Sequence, residues 1–275
     1  ERERESSGVI EENGGSLGRR RIMASAERRL QWRPKVCVSA SPAPTRCLAA
    51  SQHEQIALST ADCVALLLPG QKHAAVLLSR DDVAAHRPLG PRASFRQSSW
   101  GPPLNYKVPD DAADRSKRCA LCVSIGDACA VYLPPHASSF DAWECVANVS
   151  GMLGGDDARL TVLSSDWSDV IDGERTLLAV GGPSVLAAVL VGAGAEPAVS
   201  VRLPAPVTVT AVHFGKRGAV TVGSLIPLFC GDNDGTVTHW PLRLRDGSPL
   251  EAMAGIRVRA PDSSPICALS STPAA

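Results

Sequence analysis

The chain has 275 residues, with 28 Lys+Arg against 28 Asp+Glu, a formal charge of zero and a pI near 7.2. An apolar share of 44% is enough for a sizeable core and excludes disorder throughout. A neutral total excludes the large basic excess of a nonspecific DNA binder, though not a local basic patch. Aromatics are only 4%, so the core must be built mainly from Ala, Val and Leu.

Residues 1–35 stand apart. They hold nine basic residues against six acidic ones, and Gly14-Gly15 and Gly18 interrupt any helical period. The expectation is a mobile basic tail over residues 1–40, with a short helix around Ile22–Leu30, followed by a folded region over residues 41–275. Within the tail, Arg19-Arg20-Arg21 and Arg28-Arg29 have the composition of a nuclear import signal or a nucleic-acid contact, and equally of a solvated face. The opening Glu1-Arg2, with no Met, reads as part of a longer frame. Alternating charges over Glu1–Glu5 and no following apolar run give no signal peptide.

From about Cys47 the pattern is short β-type runs separated by turn residues. Ile56–Ser59 and Cys63–Leu68 flank Thr60-Ala61-Asp62, and His73–Ser79 follows. Arg118–Ile125 and Ala128–Leu133 flank Gly126-Asp127, and Trp143–Val149 follows. Thr176–Val180 and Val185–Val191 flank Gly181-Gly182-Pro183-Ser184, and Ala198–Leu203 follows. Pro227–Gly231 and Thr236–Trp240 flank Asp232-Asn233-Asp234-Gly235. Arg80–Arg92, Pro102–Lys117, Gly151–Asp157 and Arg243–Met253 read as loops. The apolar stretch Leu177–Ala195 is broken by Gly181-Gly182-Pro183, so it reads as two buried strands and a turn rather than a membrane span.

Each hairpin is preceded by one more short run: Arg46–Ser51, Phe95–Trp100, Leu160–Trp167 and Val207–Phe214, with Pro265–Ser270 opening a fifth unit. With Leu48, Ser98, Val162, Ala211 and Cys267 as markers, the steps are 50, 64, 49 and 56 residues. A four-stranded unit recurring at about 40–50 residues, lengthened by loops, predicts an all-β fold of the β-propeller type. Its sheets stack radially, because no single sheet can bury both faces alone. Four blades and the first strand of a fifth are counted, a truncated ring. The clearest unit is Leu228–Leu242. Asp234-Gly235 reads there as a type I′ turn, and Thr236–Trp240 alternates like a half-buried strand. The repeat residues singled out are Trp100, Trp167, Phe214, Asp234, Gly235 and Trp240.

Chemistry-bearing residues form no recognisable motif. The nine cysteines are odd in number and fit a reduced intracellular protein. The one CxxC, Cys119-Ala-Leu-Cys122, is half a zinc site at most, and on a strand its two thiols point to opposite faces. The six histidines are scattered, and neither GxGxxG nor GxxxxGK[ST] occurs. Asp81-Asp82, Asp110-Asp111 and Asp156-Asp157 read as solvated loop charge. No catalytic, cofactor-binding or metal residue is therefore expected, and no cofactor.

The order of units resembles the amino-terminal WD-type propeller of the delta-type subunit of transcription factor IIIC. The likeness rests on Leu48–Leu68 as an opening blade with its hairpin over Gln55–Leu67, Ser94–Pro102 as a "Ser-Trp-Ser-Pro"-like strand, and Arg118–Asp127 with Trp143. Glu174–Val180 and the block Val209–Ser270 continue it. It spans Pro44 to Ser270. Pro241 stands where a WD repeat has its final Asp, and the family's carboxy-terminal zinc-binding part is absent, consistent with truncation after Ala275. The resemblance implies a nuclear, non-catalytic scaffold. It would assemble with other subunits of a multi-protein complex for RNA polymerase III initiation, with DNA contacted indirectly or through the tail and no membrane partner. A generic WD-repeat scaffold in another intracellular complex is the alternative. Histone acetyltransferase activity ascribed to the family is implied only as a further possibility, with no catalytic residue to carry over.

Overall fold

The computed structural model describes residues 48–271 apart from 54, 62, 68–74, 85–88, 90–92, 106–116, 134–143, 155–159, 184, 193–199, 203–207, 216–220, 222, 245–249 and 260–262. Residues 1–40, with Arg19, Arg20, Arg21, Arg28 and Arg29, lie outside the described residues, as does Trp143.

Over the described residues the fold is all-β, built from four consecutive antiparallel sheets, each a simple meander in chain order. The first sheet holds β1 (Leu48–Ala50), β2 (Ile56–Ser59), β3 (Cys63–Leu67) and β4 (Ala75–Ser79). The second holds β5 (Phe95–Leu104), β6 (Arg118–Ile125), β7 (Ala128–Leu133) and β8 (Glu144–Asn148). The third holds β9 (Ser164–Trp167), β10 (Arg175–Gly182), β11 (Val185–Gly192) and β12 (Ser200–Arg202). The fourth holds β13 (Val209–Phe214), β14 (Leu225–Asp232) and β15 (Thr236–Arg243). Its fourth position is shared by β16 (Glu251–Ala252) and β17 (Ile256–Arg259), both paired with β15.

Several expectations need correction. Two short helices stand apart from the expectation: α1 (Arg80–Ala84) lies in the expected Arg80–Arg92 loop, and α2 (Val149–Gly154) covers the end of the expected strand Trp143–Val149 and the start of the expected loop Gly151–Asp157. Ser79 caps α1: Asp82 Oδ2 accepts from Ser79 N at 2.7 Å and Ser79 Oγ at 2.8 Å, while Ser79 Oγ accepts from Asp82 N at 3.3 Å. The strand β5 runs on through Pro102-Pro103, which a shift of register between Trp100 and Pro103 allows. Gly181-Gly182 belongs to β10 rather than to the turn, with Gly182 opposite Val185. A Cβ at Gly181 would sit 2.5 Å from Val209 Cγ1, so close sheet packing demands glycine there. The Asp232–Thr236 turn is not type I′: Gly235 has φ +77°, whereas Asp234 does not have positive φ. The turn is held instead by Asp232, whose Oδ1 accepts from Asp234 N at 2.9 Å and Thr236 N at 2.8 Å. Pro265–Ser270 pairs in no ladder.

Three apolar clusters fill the spaces between successive sheets. Ala57, Val64 and Leu66 of the first sheet meet Trp100, Leu121 and Tyr132 of the second. Ala120, Cys122 and Val131 of the second meet Trp167, Leu178 and Val189 of the third. Leu177, Ala179 and Ala188 of the third meet Phe214, Leu228 and Trp240 of the fourth. The register gives these sets a common order. Trp100 pairs with Leu121, Trp167 with Leu178 and Phe214 with Leu228, and the third strand adds Tyr132, Val189 and Trp240. The second, third and fourth sheets thus each set a row of large residues on the face toward the sheet before it. Small residues receive that row: the indole of Trp167 lies over Gly101, where a Cβ would come within 3.0 Å of the ring. The first sheet carries the equivalent row as Leu48, Leu58 and Ala65.

Candidate functional site

The first strands of the sheets lie side by side, and polar side chains stitch them together. Ser59 Oγ donates to Ser98 Oγ at 3.0 Å, joining the first sheet to β5. The hydroxyls of Ser99 and Ser165 are 2.6 Å apart, joining β5 to β9. Trp167 Nε1 donates to Ser99 O at 3.2 Å and Ser99 Oγ at 3.1 Å. The Gln97 amide is best satisfied with its oxygen accepting from Ser165 N at 2.6 Å and its nitrogen donating to Leu163 O at 3.1 Å. The strands β9 and β13 are joined by Val212 N donating to Ser164 Oγ at 3.1 Å and Phe214 N to Asp166 Oδ2 at 2.9 Å. Ser263–Ser271 then lies along β13 and β14: Thr210 Oγ1 donates to Ile266 O at 2.6 Å, and Ile266 N to Asp232 O at 3.0 Å. The fifth run expected from the sequence thus forms no strand and is held there by isolated bonds.

At one point this seam brings together an acid, an imidazole and a hydroxyl. His213 Nδ1 is 2.9 Å from Asp166 Oδ2, and its Nε2 is 3.0 Å from Ser271 Oγ. The connectivity is that of a Ser-His-Asp relay. Each member comes from a different neighbour in the seam, however, and Asp166 Oδ2 also holds the Phe214 amide. We read the trio as a cross-strand staple. Sequence reasoning missed it because His213 is 47 residues from Asp166 and 58 from Ser271. Only the stacking of sheets unites them.

The structure buries Trp100, Trp167, Phe214 and Trp240 in the clusters between sheets. Asp234 is exposed at the turn, and Asp232, not singled out from the sequence, does the bonding there. Gly235 is buried, and a Cβ on it would meet the Ser263 backbone at 2.9 Å.

Cys119 and Cys122 face opposite sides of β6, in different apolar clusters. The unforeseen neighbour is Cys129, whose sulfur is 3.6 Å from that of Cys122 across the β6–β7 hairpin. Among the described residues no group of three or more His, Cys, Asp or Glu is placed to hold a metal. No helix there is long and apolar enough to cross a membrane.

Burial raises the thiols of Cys119, Cys145 and Cys230 above their ordinary value of 9.0. Hydrogen bonding to Cys122, then burial, pushes Cys129 further up. The Tyr132 hydroxyl is raised by burial as well. The folded state therefore keeps protons that the unfolded state releases near pH 9.0 from the thiols and near pH 10.0 from the tyrosine. The stability from these groups is full below pH 9 and falls as pH rises above it. Thermal melts between pH 7.5 and 10.5 should show a falling midpoint; a flat profile would contradict the assignment. Iodoacetamide should label exposed Cys267 well ahead of Cys119, Cys129 and Cys230.

No family model matches the chain, and no curated protein matches it. Among solved structures it is similar to a chain from the crystal structure of the mitotic checkpoint complex, at 12% identity and a TM-score of 0.30. That match covers 81% of this chain and 79% of the other. A likeness that loose carries no argument, so what is established is an all-β chain of several antiparallel sheets.

Proposed function

We propose that the four sheets are successive blades of a WD40-like β-propeller, with Ser263–Ser271 at the place of a fifth first strand. The observation that carries this reading is the recurrent row: an aromatic on the first strand faces a leucine on the second, three times running, always toward the preceding sheet. A face-to-face sandwich has two sheets and one interlayer core. Serial interfaces of like composition fit radial repetition.

The chain acts as a non-catalytic scaffold, its rigid sheets fixing loops against partner proteins. Its partners are the other subunits of a transcription factor IIIC-like complex in the nucleus, serving RNA polymerase III initiation. Support for that assignment is the resemblance over Pro44–Ser270. DNA is reached through those partners, with Arg19, Arg20, Arg21, Arg28 and Arg29 as the tail's contact.

Affinity purification of the tagged chain from its own cells tests the assignment. Recovery of the other subunits of that factor is expected; stable recovery with an unrelated complex would replace it by a generic scaffold. In the same preparation, deletion of residues 1–35 should weaken DNA binding and flatten its salt dependence, because phosphate contacts release counterions. An unchanged slope would remove the tail from the DNA interface.

A further inference from the structure

The outer margin of the fourth sheet differs from the rest of the fold. All four residues of β17, Ile256–Arg259, are exposed, with Ile256 at 63% and Val258 at 65%. Their faces follow from the pairing with β15. Ile256 stands opposite His239 and Val258 opposite Val237, on the face where Phe229 and His239 stack with ring centroids 4.7 Å apart. Arg257 stands opposite Thr238 and Arg259 opposite Thr236, on the other face. Among the described residues no strand pairs with the outer side of β17. Such an edge turns alternate backbone N–H and C=O groups outward, ready for another strand. Its side chains divide cleanly into an apolar face and a basic face.

We propose that β17 is a docking edge for an extended segment of a partner protein that alternates apolar and acidic residues. The segment would add to the fourth sheet as a further strand. Its apolar side chains would lie beside Ile256 and Val258, and its carboxylates beside Arg257 and Arg259. Arg259 is already turned by a 3.0 Å bond from Nη2 to Ser263 Oγ. The pattern argues against a second copy of this chain as occupant. Antiparallel pairing of two such edges places either Arg opposite Arg or Arg opposite an apolar residue, and like charges directly opposite are unfavourable. The edge thus resists itself and selects an acidic partner.

This inference adds a surface and a ligand chemistry to the scaffold reading. It rests on the edge geometry and not on the polymerase III assignment: failure of the co-purification would leave it standing, and its own failure would leave that assignment untouched.

The test uses fluorescein-labelled Gly-Val-Glu-Val-Glu-Val-Gly and its Val-Lys counterpart, followed by fluorescence anisotropy on the full chain. The glutamate peptide should bind at least about tenfold more tightly, with the difference shrinking in high salt. The double variant Arg257→Glu/Arg259→Glu should invert the preference while keeping the melting profile, since both side chains are exposed. N-methylation of alternate peptide amides should abolish binding in one of its two phases and spare it in the other, which probes strand pairing without altering the protein. Absence of glutamate-peptide binding, an unmoved preference in the double variant, or equal binding of both N-methylated peptides would each overturn the proposal. So would a dimer in light scattering that peptide does not dissociate, which would make the occupant a second copy.

Discussion

Replacement of Trp167 by alanine is expected to lower stability by about 3–5 kcal/mol, the usual cost of emptying a buried aromatic site. In a domain of this size that is on the order of 10 °C in the melting midpoint. Trp167 is 8% exposed and lies in the cluster joining the second and third sheets. It also donates from Nε1 to Ser99 across the seam, so one side chain supplies both the packing and the stitch between β5 and β9. The two contributions separate by substitution. Trp167→Phe retains most of the apolar contact and removes the indole donor, costing about 0.5–1.5 kcal/mol for the lost bond plus a smaller packing term. Differential scanning calorimetry on the three proteins reads both. If Trp167→Ala and Trp167→Phe melted alike, the ring would not be filling the space between sheets, and the interlayer row would lose its energetic meaning.

Gly182→Ala is expected to be nearly as damaging, for a different reason. A Cβ at Gly182 would overlap the carbonyl oxygen of Thr161, a backbone atom that cannot swing aside, and would lie 3.3 Å from Val185 Cγ1. Overpacking of this kind costs about 1–3 kcal/mol, sometimes more. Gly173 is the control. Its φ is +76°, and nothing lies within 4 Å of the added carbon, so alanine there meets only the left-handed backbone penalty of about 1–2 kcal/mol. Asparagine, which tolerates that conformation, should recover much of the loss at position 173 and make matters worse at 182. Urea titrations of the four variants decide it. Equal rescue by asparagine at both positions would show that the Gly182 effect is conformational rather than steric.

Much of the strand plan was legible because two-residue alternation and turn residues are local signals. Ile56–Ser59, Arg118–Ile125 and Ala128–Leu133 are the strands read from the sequence. What escaped depends on contacts that no window contains. Gly181-Gly182 looks like a breaker until Val209 and Thr161 are known to press on it. Asp234 looks like the turn residue until the Asp232 carboxylate is seen to hold the turn's amides. No sequence signal marks the edge β17, because Ile-Arg-Val-Arg is too short to declare a period. The Asp166–His213–Ser271 staple needed β9, β13 and the Ser263–Ser271 segment in place before its atoms could meet.

The row of large residues received by small ones has a wider implication for how such a chain can change. Its fit is set mainly by volume and by position along a strand, and the spans that lead from one sheet to the next add only a few side chains, Val83 and Ala93 in one cluster and Val149, Leu153, Leu160 and Val162 in another. Leucine stands beside tryptophan in one sheet and beside phenylalanine in another without altering the order. A lineage can therefore drift far in spelling and in spacer length while its layers continue to mesh. Kinship between distant descendants would then persist in the alternation of bulk across successive sheets long after letter-by-letter likeness had worn away.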